Sequence, residues 1–170
     1  MKKTHIVKNF IVDSKADICA LTETWLKGSE LDNKIISDLC PTGYKLPHEP
    51  RLTGRGGGVG LLHSKMLNIK QEKIKPFVSF EHSELTLRTQ TKTFRIIILY
   101  RPPPSKTNKL TVSMFLTDFT RYMKNIVTAP GDLLMVGDFN FHIDDPYDSD
   151  ARRFLQILDT FDLKQHIVGP

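Results

Sequence analysis

One stretch constrains this chain more than any other: Leu133-Leu134-Met135-Val136-Gly137-Asp138-Phe139-Asn140. Four apolar residues run into a glycine, then into an Asp and an Asn two apart. The run is short, apolar and preceded by Gly131-Asp132, which predicts a buried strand. Gly137 allows a tight backbone where that strand ends. Side chains alternate along an extended chain, so Asp138 and Asn140 point one way and Phe139 the other. A carboxylate and an amide at the mouth of a sheet suit a phosphate or a hard cation.

The 170 residues set a scale of one domain. Hydrophobic residues make up 39% and charged residues 25%, the balance of a globular fold rather than a disordered one. No apolar run is long enough to span a bilayer, so no membrane partner is expected. The start, Met1-Lys2-Lys3-Thr4-His5, lacks the apolar core and cleavage site of a secretory signal. Cys19 and Cys40 each sit among apolar residues and are expected as two buried, reduced thiols. The net charge of +5 is compatible with a polyanionic partner.

Helix and strand signals alternate. Helices are predicted over 5–14, 34–40 and 151–161, and through the stripe Val112, Phe115, Leu116, Phe119, Met123 and Ile126. A buried strand is predicted from Asp17 to Thr22, ending at Glu23-Thr24-Trp25. Pro41 to Pro50, with three prolines, reads as loop. Gly54 to Leu62 is a glycine-rich entry to a strand. Further strands are predicted over 66–74, 79–89 and 93–100, the last ended by Arg101-Pro102-Pro103-Pro104.

Strand ends thus carry Glu23, Tyr100 and Asp138 with Asn140, and sites in mixed α/β folds collect at such ends. Each group alone has a plainer reading: a surface acid, a half-buried ring, a turn residue. Their joint occurrence changes the weights. Other motifs carry less. Arg51-Leu52-Thr53-Gly54-Arg55-Gly56-Gly57-Gly58 lacks the Lys-Ser/Thr of a P-loop and the dinucleotide glycine spacing. It reads as close backbone packing at a strand entry, with Arg51 and Arg55 as candidate contacts to a nucleic-acid backbone. Lys65, Lys70, Lys73 and Lys75 read as a solvated face. Asp144, Asp145, Asp148 and Asp150 lack the distal Glu of an EF-hand and read as an acidic loop capping the next helix. Cys19, His63 and Cys40 lack zinc-finger spacing.

Four segments together carry a resemblance. They are Asp17-Ile18-Cys19-Ala20-Leu21-Thr22-Glu23-Thr24-Trp25, Gly56-Gly57-Gly58-Val59-Gly60, Leu99-Tyr100-Arg101-Pro102-Pro103 and Gly137-Asp138-Phe139-Asn140. In this order and spacing the chain resembles the endonuclease/exonuclease/phosphatase superfamily. It looks most like the endonuclease domain that precedes the reverse transcriptase in non-LTR (LINE-type) retrotransposons. Phe139-Asn140-Phe141-His142-Ile143-Asp144 and Gln165-His166 are similar to that subgroup too.

The resemblance implies a four-layer α/β sandwich, two β-sheets face to face with helices outside. It implies phosphodiester hydrolysis with Mg²⁺ or Mn²⁺. By position, Glu23 is the metal ligand, Tyr100 donates to the scissile phosphate, Asp138 orients or deprotonates the attacking water, and Asn140 holds the phosphate and positions Asp138. One carboxylate suffices for Mg²⁺, which keeps several waters beside a substrate phosphate. Arg101, with Arg51 and Arg55, is expected to touch nucleic acid. DNA is the implied partner, with a reverse transcriptase region in a longer parent and an intracellular, nuclear site of action. The resemblance carries no oligomeric state.

Superfamily members begin with an Asn-bearing strand and end with strands carrying an Asp and a Ser-Asp-His segment. This chain enters its first helix almost at once and stops at Val168-Gly169-Pro170. The expectation is therefore one domain over 1–170, truncated at both ends and weak or inactive as a nuclease, with open sheet edges. Three functions follow: a metal-dependent DNA nickase, a cousin acting on a small phosphate ester or an RNA tail, and a non-catalytic nucleic-acid binder.

Overall fold

The computed structural model describes residues 4–51 and 54–166. Met1–Lys3, Leu52-Thr53 and the final four residues, parts of three segments read above, lie outside the described residues. Helices α1 (Thr4–Ser14) and α2 (Asp32–Leu39) flank one sheet, built from β1 (Ile18–Thr22), β2 (Tyr44–Lys45), β3 (His48–Glu49) and β4 (Val59–Ser64). β4 is central and pairs antiparallel with the other three. The second sheet runs β5 (Asn68–Gln71), β6 (Glu81–Arg88), β7 (Thr93–Tyr100), β8 (Asp132–Asp138). β7 and β8 are parallel, joined by α3 (Val112–Ile126), and α4 (Ser149–Thr160) follows.

Side-chain alternation stacks these elements into the four expected layers. In β4, Val59 and Leu61 face the second sheet while Leu62 faces α1 and α2. In β7, Ile96, Ile98 and Tyr100 face the first sheet while Ile97 and Leu99 face α3 and α4. Period-2 alternation with apolar residues on both faces is the signature of a strand covered on both sides. The outer core beneath α3 and α4 is aromatic: Phe115 and Phe119 stack, and Phe154 packs against both. Thr111 caps α3 and Asp148 caps α4, the latter with Oδ1 accepting from the amides of Asp150 and Ala151 at 2.8 and 3.0 Å. The acidic loop does cap the helix that follows it. Among the described residues no helix is long and apolar enough to cross a membrane.

Three expectations are corrected. β8 is not buried: it is an edge strand, only half covered, with Leu134 at 44% exposure. β1 is likewise a half-buried edge. An apolar run reports what a strand can bury, and the edge position decides what it does bury. Pro41 to Pro50 holds two short strands rather than loop alone, because β4 offers both of them backbone partners. Cys19 and Cys40 are free, as expected, but half-exposed rather than buried, and partial burial pushes both thiols up.

Candidate active site

Ends of strands from both sheets meet at one place. In the second sheet the register sets Glu81 opposite Tyr100, and Tyr100 beside Asp138. In the first, Thr22 pairs with Val59, and the ladder continues past it through Thr24 N–H to Gly58 O (3.2 Å) and Trp25 N–H to Gly57 O (2.8 Å). That extension carries Glu23 to the glycine loop. β1 lies against β7 and β8, so Glu23, Tyr100 and Asp138 sit at one end of the sandwich.

The Glu23 carboxylate is held by several donors. Its Oε2 accepts the Trp25 indole N–H at 2.7 Å and the Gly57 N–H at 2.8 Å, and the Tyr100 hydroxyl also donates to it. Burial alone would raise its pKa, but these three donors and the Arg51 charge outweigh burial and hold it below the usual carboxylate range. Burial, together with the Glu23 hydrogen bond and charge, pushes Tyr100 up to about 12, so its hydroxyl stays protonated and able to donate. Glu23 and Trp25 both take left-handed backbone, at φ 54° and 57°, so the loop holds a conformation that non-glycine residues seldom adopt.

Gly137 is where the second sheet needs glycine. It takes φ 150°, and a Cβ there would lie 1.8 Å from the Leu99 carbonyl oxygen. Beyond it Asp138 is exposed, its Oδ1 accepting the Asn140 N–H at 3.0 Å. Phe139 turns into the aromatic core, as alternation predicts. Asn140 departs from extended chain, at φ 51°, and its Nδ2 donates to Arg101 O at 2.7 Å.

Arg51 donates through Nε to Glu81 and through Nη1 to Arg55 O (2.9 Å), and its guanidinium lies over the Tyr100 ring at 5.7 Å. Arg55 is exposed, its guanidinium over the Trp25 ring at 5.5 Å. The structure places Arg101 elsewhere. It is 3% exposed, 3.9 Å over the Phe141 ring, and donates to the Phe139 and Asn140 carbonyls at 2.8 and 3.1 Å. A guanidinium so enclosed supports the Asp138–Asn140 turn and does not face a nucleic-acid backbone.

Two neighbours escape a reading by motif. Glu81 takes Arg51 and the Gly58 N–H, joining the two sheets at the site. Its position was countable: with Thr89 to Lys92 as the hairpin turn, pairing back from Arg88 and Thr93 sets Glu81 against Tyr100. Trp25 was visible as the end of its motif, but its indole contact depends on the turned backbone at Glu23.

Among the described residues no group of three or more His, Cys, Asp or Glu is arranged to hold a metal. The residues nonetheless fit a hard cation that retains most of its waters. Glu23 is exposed, kept anionic, and offers an all-oxygen donor beside an exposed Asp138.

The structure is a four-layer α/β sandwich with polar strand ends from both sheets gathered at one end. The chain belongs to the endonuclease/exonuclease/phosphatase family, whose sequence model matches residues 1–163. Members of that family are hydrolytic nucleases or phosphatases. The AP endonuclease LMAP from Leishmania major has the same fold, with a TM-score of 0.66 at 16% identity over 94% of this chain and 62% of that one. The endonuclease domain of TRAS1, a telomere-specific non-LTR retrotransposon, gives 0.65 at 14% identity over 93% and 65%. D. rerio TDP2 complexed with a single-strand DNA product gives 0.59 at 10% identity over 95% and 58%. The chain thus spans about three fifths of the length of these structures. No match is found among curated protein sequences.

Proposed function

We propose that this chain is a divalent-metal-dependent DNA endonuclease domain of the retrotransposon type, nicking one strand of a duplex. The observation that carries the reading is the convergence of Glu23, Tyr100, Asp138 and Asn140 at one end of the sandwich, each delivered by a different backbone device. DNA as substrate and a retrotransposon parent carrying a reverse transcriptase are supported by the four sequence segments and by the likeness to the TRAS1 domain. Action on nuclear DNA follows from the same reading.

In this scheme Glu23 would hold Mg²⁺ or Mn²⁺. When bound, that ion supplies charge to polarise the phosphoryl group. The Tyr100 hydroxyl, protonated up to about pH 12, would turn its one O–H from Glu23 to the phosphate when substrate is bound. The exposed Asp138 carboxylate orients the attacking water and receives its proton. Asn140 fixes Asp138 through its own N–H and the turn between them. Arg55 lies on the open surface beside the site, where a duplex backbone would run.

The test is nicking of supercoiled plasmid with Mg²⁺ or Mn²⁺. Wild type should nick, weakly as expected for a chain short of the family's terminal strands, and Asp138→Ala and Glu23→Ala should each lose about 10³-fold or more in rate or fall below detection. Nicking that survives both substitutions assigns the activity to something else. A folded wild type that binds plasmid without cleaving it supports the non-catalytic binder instead.

A further inference from the structure

We infer that Trp25 is a positioning residue for the metal-binding carboxylate: its indole N–H fixes Glu23 so that the carboxylate keeps an acceptor position open for a cation. This rests on the metal-dependent reading above and deepens it. Glu23 is exposed, and a free glutamate there would sample several rotamers. Instead, two N–H donors converge on one oxygen, Oε2: the indole of Trp25 at 2.7 Å and the main chain of Gly57 at 2.8 Å. With the Tyr100 hydroxyl as a third donor, three of the carboxylate's roughly four acceptor positions are taken and one is left for a hard cation.

The indole is itself held in place. The Trp25 main-chain N–H donates to Gly57 O at 2.8 Å, Arg55 covers the ring at 5.5 Å, and a Cβ on Gly56 would lie 3.3 Å from ring atom Cε2. Yet Trp25 remains 48% exposed. A large ring spared from the core, in left-handed backbone, with its polar edge on a candidate ligand, is poorly explained by packing. Groups that orient a metal ligand through a hydrogen bond typically change metal affinity about 10–100-fold when removed.

Trp25 is the only tryptophan in the chain, so its fluorescence reports on this carboxylate alone. Mn²⁺, a paramagnetic quencher, should quench wild-type emission saturably. In Glu23→Gln the quenching should become weak and linear. Free Mn²⁺ counted by electron paramagnetic resonance should show Trp25→Phe binding Mn²⁺ about 10–100-fold more weakly, with nicking recovered as Mn²⁺ is raised. Trp25→Phe binding Mn²⁺ as tightly as wild type overturns the inference and leaves the nuclease reading intact. Saturable, Glu23-dependent quenching with weakened Mn²⁺ binding in Trp25→Phe, but without any nicking, upholds the inference and sinks the nuclease reading. Quenching that is linear in wild type overturns both.

Discussion

His82 shows how far a single residue can depart from its sequence context. It is 3% exposed, ringed by Phe77, Phe80 and Tyr122, with Nδ1 buried and unpartnered and Nε2 3.7 Å from Glu84. Burial pushes it down to about 4, from an ordinary value of 6.5. A depressed folded value means its contribution to stability is present above 6.5 and is lost as pH falls from there toward 4. Linkage gives a loss of about 2 kcal/mol between pH 7 and pH 5. Urea unfolding at the two pH values should show it, and His82→Phe should flatten the dependence. An equal slope in both proteins would assign the effect to other groups. Nothing in Glu81-His82-Ser83 reveals this, because the enclosing rings come from Phe77, Phe80 and, in α3, Tyr122. Arg101 is the same case. Its place after Tyr100 and before three prolines suggests exposure, whereas Phe115 and Phe141, distant in sequence, enclose it. By contrast, Glu23, Tyr100 and Asp138 were legible as residues, because each terminates an apolar strand that the period-2 pattern locates.

The elements were legible wherever periodicity was strong. The strand at 93–100 and the α3 stripe sit where the pattern puts them, since both bury apolar residues at regular spacing. β2 and β3 were not, because two-residue strands have no period and exist only through their pairing with β4. The exposure of β8 was also hidden, because the sequence of a strand does not record how many neighbours it has. What β8 does record is its junction with β7. Leu99 and Gly137 are paired, and the Leu99 carbonyl occupies the space a side chain would need. Gly137→Ala should therefore force the two strands apart. The expected cost is about 3 kcal/mol or more, from the clash with backbone and the φ of 150° together. Because the displaced residue adjoins Asp138, nicking should fall even at temperatures where the variant remains folded. Urea midpoints and plasmid nicking measure the two effects separately, and a variant with wild-type stability would show that the β7–β8 spacing is softer than argued.

The site of the whole molecule belongs to neither sheet. Glu23 arrives from the first, Tyr100 and Asp138 from the second, and under the proposed nuclease reading chemistry on one phosphate requires the sheets to keep a fixed offset. The apolar layer between them, with Leu61, Leu85, Ile96 and Ile98, resists separation but is non-directional. Polar ties fix direction, and at the site Glu81 supplies one. From the end of β6 it accepts from Arg51 and from the Gly58 N–H, both carried by the first sheet and its loop. The two side chains are largely enclosed, at 21% exposure for Arg51 and 17% for Glu81. Removing the carboxylate leaves a guanidinium and an amide without their partner, at a cost of about 2–3 kcal/mol. Glu81→Ala should therefore lose stability and also lose activity beyond what unfolding explains. Misplacing Glu23 against Asp138 by a fraction of an ångström to an ångström should lower nicking by up to about 10²-fold in the folded fraction. Glu81→Gln, which keeps an acceptor for Gly58, should fall between that variant and wild type. Rates normalised to the folded fraction decide the matter: if Glu81→Ala nicks normally once unfolded protein is discounted, the sheets are held in register by apolar packing and the remaining cross-sheet bonds, such as Gln71 Nε2 to Glu49 Oε1 at 2.7 Å.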